Sequence, residues 1–193
     1  MKNLEELKEK YRIKYRKFLY SYTEGYIGKN VYEVILNDGT VKKSEQILKN
    51  RNNGDAVVII PITEQNRFVI IIESRPNTKD GVALEFPAGM VDSNETFEQA
   101  ALRELEEETG YISDKLIELE WHYQDQGCSK AIIKTFVALG CKKIKDQQLD
   151  EGENITSLEI TTNDLNRLYK ENEFQDANSK IAYLTYTLRK RSE

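Results

Sequence analysis

In the stretch RELEEETG, residues 103–110, four glutamates (Glu104, Glu106, Glu107 and Glu108) fill four of the five positions 104–108, between an arginine and a threonine-glycine pair. Like charges three and four positions apart on a helix repel by about 0.2–0.5 kcal/mol per pair. On a 3.6-residue period Glu104, Glu107 and Glu108 share one face, and Glu106 points elsewhere. Such a face is either one more solvated surface or a set of oxygen ligands for a hard divalent cation. Mg²⁺ takes carboxylates of this kind and completes its shell with water and phosphate. From these residues alone the solvated reading is the commoner one. Arg103 offers bidentate geometry that would orient a neighbouring carboxylate.

The helix that must carry these side chains spans residues 95–108, with Thr96 as N-cap, Gln99 completing a capping box and Gly110 ending it. Ala101, Leu102 and Leu105 mark the face expected to pack under a sheet, with the carboxylates flanking it. Upstream, AVVIIPI (56–62) and RFVIIIESR (67–75) flank TEQN and read as two buried strands of a central hairpin. Further strands are expected near 114–122, 131–139 and 155–161, and closing helices near 162–171 and 177–190. Ahead of this, Leu4, Leu7, Tyr11, Tyr15 and Phe18 recur at helical spacing and predict an amphipathic helix or arm over about 3–19. Between them, VYEVILNDGTVKKSEQIL (31–48) holds two strand-like runs about an Asp38-Gly39 turn, a small N-terminal sheet. The expected division is therefore an arm and small sheet over 1–54 and a main domain over 55–193, of α+β class with an α/β/α layered build.

A chain of 193 residues holds one ordinary domain and a small appendage. The net charge of −5 argues against electrostatic capture of nucleic acid. Two cysteines, Cys128 and Cys141, suit a reducing compartment rather than a disulfide framework. The apolar runs fall far below a membrane span, and MKNLEELKEK has no signal-peptide apolar region, so the expected location is the cytoplasm, with no membrane partner.

The residues upstream of the glutamates carry a family resemblance. Gly89, Glu95, the Arg103-Glu104 pair, the Glu107-Glu108 pair, Gly110 and the closing apolar Tyr111, at their gaps in GMVDSNETFEQAALRELEEETGY, match every fixed position of the box of the Nudix hydrolases. ESRPN (73–77), LEFPAG (84–89), DEGEN (150–154) and DANSKIAYLTY (176–186), after an N-terminal hairpin, resemble the ADP-ribose pyrophosphatase branch over nearly the whole chain. The resemblance implies the Nudix fold, a mixed β-sheet between helices with a small N-terminal antiparallel sheet. It also implies hydrolysis of the diphosphate bridge of a nucleoside diphosphate sugar, ADP-ribose giving AMP and ribose 5-phosphate, with Mg²⁺ or Mn²⁺ as cofactor.

Carried over by motif, the metal falls to Glu104, Glu108 and the main-chain carbonyl of Ala88, with Glu107 ligating directly or through water. Gly89, Glu95, Arg103 and Gly110 hold the helix and its loop together. The general base in this branch sits in a loop before a late strand, here LDEGENI (149–155), which makes Glu151 the first choice and Glu153 the second, or a further metal ligand. Arg75 is expected on the diphosphate and Glu85 beside the metal or the terminal ribose, each with a structural ion pair as the alternative. The branch also implies a homodimer that exchanges N-terminal strands. One departure is the missing proline in YQDQGCSK (123–130), where Gly127 and Ser129 remain; it weakens ADP-ribose more than it weakens nucleotide sugars as a class. GDP-mannose or another nucleotide sugar is thus the second substrate reading, and a non-catalytic ADP-ribose-binding regulator is the reading from another class. Trp121 and His122, which could also stack on a base or move a proton, are read as ordinary packing or edge placement on an alternating strand.

Overall fold

The computed structural model describes residues 2–150 and 152–191, side chains from residue 4, in two compact units. The first comprises residues up to Gly54 with Tyr123–Ala131, and the second Asp55–His122 with Ile132 onward. In the first unit, helix α1 (Lys2–Tyr11) precedes a three-stranded antiparallel sheet of β1 (Ile13–Glu24), β2 (Ile27–Leu36) and β3 (Val41–Lys49), in that order. The β2–β3 hairpin turns at Asn37–Thr40 as Asp38-Gly39 predicts, and Val31, Val34, Leu36 and Leu48 are buried in it.

A helix over about 3–19 is corrected: it stops at Tyr11, and after Arg12 the twelve residues Ile13–Glu24 are strand. IKYRKFLYSYTE is rich in β-branched and aromatic side chains and gains a full ladder against β2, with irregularities between Ile13 and Tyr15 and between Phe18 and Tyr20. Tertiary pairing overrides a helical spacing that Tyr15 and Phe18 continue only by coincidence.

The second unit is built on an eight-stranded mixed sheet. Its path runs β11 (Ile155–Ile160), β5 (Phe68–Ser74), β4 (Ala56–Thr63), β10 (Ile132–Lys143), β8 (Tyr111–Ile112), and the β4–β10 pair is parallel. Short strands β6 (Val82–Glu85) and β7 (Ala88–Met90) pair with β5 and β4, and β9 (Lys115–Tyr123) pairs with β10. β4 and β5 meet directly at Ile62 and Phe68. The two faces of β4 explain its near-continuous apolar run. Val57 and Ile59 pack with Ala101 and Leu105 of α2 (Phe97–Thr109), whereas Val58, Ile60 and Ile62 pack with Leu165 of α3 (Thr162–Lys170) and Ala182 and Tyr183 of α4 (Ala177–Lys190). Helices thus cover both sides of the sheet. Among the described residues no helix is long and apolar enough to cross a membrane.

Candidate active site

Helix α2 starts where its capping chemistry demands. Thr96 Oγ1 accepts from Gln99 N–H at 3.2 Å, and the Gln99 side chain accepts from Thr96 N–H at 2.8 Å. It ends at Gly110, whose φ of 74° lies in the left-handed region and whose N–H donates to Glu106 O at 2.9 Å. Between these ends the buried residues are Ala100, Ala101, Glu104, Leu105, Glu108 and Thr109. That corrects the expected packing face. Leu102 is 40% exposed, and two carboxylates lie on the buried side instead of flanking it.

β7 lies against those carboxylates. Glu108 Oε2 accepts from Ala88 N–H at 2.9 Å. Gly89 shows no left-handed φ, yet a Cβ there would meet the Glu104 carboxylate and displace it, so the glycine leaves that carboxylate room beside β7. Burial is the largest cause raising Glu104, to about 7, against the opposing Arg103 charge. Burial also pushes Glu108 up to about 9, helped by the Glu104 charge and opposed by the Ala88 N–H. Arg103 is the fastener of this corner. It grips Glu95 with Nε and Nη2 at 2.9 and 3.0 Å, Met90 O with Nη2 at 3.0 Å, and Glu104 and Glu107 with Nη1 at 2.8 and 3.0 Å. Its hydrogen bonds hold Glu95 below the usual carboxylate range. Glu106, facing away, pairs with Lys145 at 2.6 Å.

Among the described residues no group of three or more His, Cys, Asp or Glu side chains is arranged to hold a metal ion: Arg103 spans Glu104 and Glu107 while Ala88 holds Glu108. The donor set nevertheless fits a hard divalent cation. Burial raises both carboxyls, Glu104 to about 7 and Glu108 to about 9, and a bound cation would offset the cost of their charges.

The other expected residues fall into two groups. Arg75 donates to Glu85 through Nε and Nη2 at 3.0 and 2.8 Å and lies 2.7 Å from Glu73, on the neighbouring strands β5 and β6. Glu85 is buried, whereas Arg75 keeps 43% of its side chain exposed. Glu153 is exposed in the loop before β11; its carboxylate accepts from Asp150 N–H at 2.9 Å, and its charge helps raise Glu73, Glu104 and Glu108. Glu151 lies outside the described residues. Sequence reasoning missed Glu73, and the signal available for it was its place two residues before Arg75 on a strand, which turns both side chains to one face. It also passed over Ser179, whose Oγ accepts from Phe86 N–H at 2.9 Å and ties α4 to the loop leading into β7. His122, read as packing, bridges Glu120 and Asn178 at 3.1 and 3.3 Å.

The family model for the NUDIX domain matches residues 52–181, about two thirds of the chain. The chain belongs to the Nudix hydrolase family. Two bacterial relatives cover 79% of this Nudix chain and 80% of their own lengths: the ADP-ribose pyrophosphatase of Bacillus subtilis (strain 168), 32% identical over 154 residues, and the methanol dehydrogenase activator of Bacillus methanolicus, 33% identical over 153 residues. The crystal structure of an ADP compounds hydrolase superposes with a TM-score of 0.76 over 95% of each chain at 20% identity, a likeness of fold. The expected Nudix architecture, a mixed sheet with helices and a small three-stranded antiparallel sheet, is thereby borne out.

Proposed function

We propose that the chain hydrolyses the diphosphate bridge of a nucleoside diphosphate sugar, with ADP-ribose, cleaved to AMP and ribose 5-phosphate, as its first substrate. The observation that carries this reading is the convergence of buried Glu104 and Glu108 on the Ala88–Gly89 backbone in a chain related to an ADP-ribose pyrophosphatase. Mg²⁺ or Mn²⁺, held by Glu104, Glu108 and the Ala88 carbonyl with Glu107 direct or through water, would neutralise diphosphate charge and lower the pKa of the attacking water. Arg103 keeps Glu104 and Glu107 in place against the 90–95 loop. Glu151 or Glu153 takes the proton of the water, and Arg75, steadied by Glu85 and Glu73, presents cationic surface to the diphosphate. Two free cysteines agree with a cytoplasmic address.

The relative named as an activator gives a reason to keep a regulatory reading, in which the chain binds ADP-ribose without turnover. The full set of box carboxylates favours the enzyme. Phosphate release is measured with a coupled phosphatase and Mg²⁺ over ADP-ribose, GDP-mannose, ADP-glucose, UDP-glucose and NADH. ADP-ribose should give the highest kcat/KM. GDP-mannose ahead by tenfold, about 1.4 kcal/mol in transition-state binding, would replace the substrate and keep the reaction. Binding of ADP-ribose with no hydrolysis of any compound would favour the regulator.

A further inference from the structure

The C-terminal end of α2 is closed by a segment that chemistry at the glutamates does not itself require. The last carbonyls of a helix have no partner within it and must find donors elsewhere. Here they find them in residues 144–148. Ile144 and Lys145 N–H donate to Gly110 O at 2.9 and 3.4 Å, and Gln148 N–H donates to Glu107 O at 2.8 Å. The Gln147 carboxamide supplies the remaining link. Its Nε2 donates to Glu108 O and also, at 3.3 Å, to Ile155 O, the first residue of β11. Both partners are carbonyl oxygens, so only the NH₂ end of the amide serves, and an isosteric group without N–H protons cannot.

Gln147 therefore joins the two points from which the loop 148–154 is hung. One is the backbone of Glu108, whose side chain lies on the Ala88 amide, and the other is the start of β11, where Ile155 pairs with Glu73. Inside the loop Asp150 and Glu153 tie their own turn, Glu153 N–H to Asp150 O at 3.1 Å and Asp150 N–H to the Glu153 carboxylate at 2.9 Å. The described part of the loop is thus tied at both ends, through Gln148 to Glu107 O and through Gln147 to Ile155 O.

We propose that Gln147 is a positioning residue, whose carboxamide, by bridging the Glu108 and Ile155 carbonyls, fixes the Asp150–Glu153 pair relative to the C-terminal end of α2. The inference rests on the reading that a loop glutamate moves the proton, and it adds the group that places that glutamate. Gln147→Met removes both donors at nearly constant volume, and Gln147→Lys restores a donor. Turnover per folded molecule and amide exchange at Gln148 and Glu153 are measured for each. The Met variant should lose at least tenfold in kcat with KM within threefold and exchange at least tenfold faster at both amides. The Lys variant should stay within threefold of wild type in both readouts. Unchanged exchange in the Met variant, or faster exchange with unchanged kcat, overturns the proposal. Should the Met variant not fold, Gln147→Asn, too short to span both carbonyls, is held to the same two criteria. A wild-type protein that hydrolyses none of the panel overturns the proton-transfer reading, while the exchange measurement still decides the tether.

Discussion

Glu108 carries the sharpest consequences at the scale of one residue. It is 4% exposed, accepts one backbone hydrogen bond and shares its surroundings with Glu104, an arrangement that disfavours charge unless a cation arrives. Glu107→Gln and Glu108→Gln, made singly, should each cut kcat at least about a hundredfold with the fold retained, because the carboxylates supply rate rather than packing. Near-normal turnover in both would remove the helix from the chemistry. The same burial sets a pH dependence. Both carboxyls titrate above 4.5 in the folded protein, Glu104 near 7 and Glu108 near 9, so the folded state binds more protons than the unfolded chain across that window. Stability contributed at this corner is then present below about pH 4.5 and lost as pH rises toward 9. In excess chelator, Glu108→Gln should melt increasingly above wild type as pH rises from 5.5 to 8.5. A gap in melting temperature that does not widen over that range contradicts the assignment. Mg²⁺ should narrow it.

At the scale of elements, α2 is placed by its first turn and its last glycine. Thr96→Ala removes the side-chain acceptor for Gln99 N–H and should cost about 1 kcal/mol, lowering the melting temperature by about 2–4 °C in a scanning calorimeter. No change would mean that packing against β4 alone sets the helix. The cap was legible in the sequence because it is local: Thr96, Gln99 and Gly110 act within one turn of themselves, and the box spacing follows from the helix they delimit. The burial of Glu104 was not legible, because charged side chains read as surface until a second strand is known to approach; Gly89 was the only mark of that approach. Nor was β1, since alternation and helical spacing overlap in a run where nearly every second or third residue is aromatic, and its ladder to β2 is a contact across the chain. Arg75 and Glu85 were each legible as candidates, but their bidentate pairing and the addition of Glu73 depend on β5 and β6 being neighbours. Gln147 gave no signal because its partners are backbone carbonyls, which every sequence contains.

At the scale of the whole molecule, the outstanding feature is a strand that the described structure leaves uncovered. β1 is an edge strand, and eleven of its twelve residues, all but Arg16, are exposed, including Tyr15, Phe18, Tyr20 and Tyr22, each at least half exposed. β2 beside it buries Val31, Val34 and Leu36, so the contrast is a property of β1 rather than of a thin sheet. An uncovered edge of this length, roughly 40 Å at about 3.3 Å per residue, is a template for strand pairing, and aromatic side chains on both faces make it costly in water. A second copy of the chain is the partner expected from the family resemblance, and two such strands offer the length needed for the roughly 1,200–2,000 Å² that a stable interface buries. Sedimentation at micromolar concentration should therefore find a homodimer. Tyr20→Lys combined with Tyr22→Lys places charge along the exposed edge and should shift the species to monomer while leaving the far-ultraviolet circular dichroism of the second unit in place. A monomeric wild type, or a double variant that remains dimeric, would remove β1 from the interface and leave its aromatic surface to be explained by another partner.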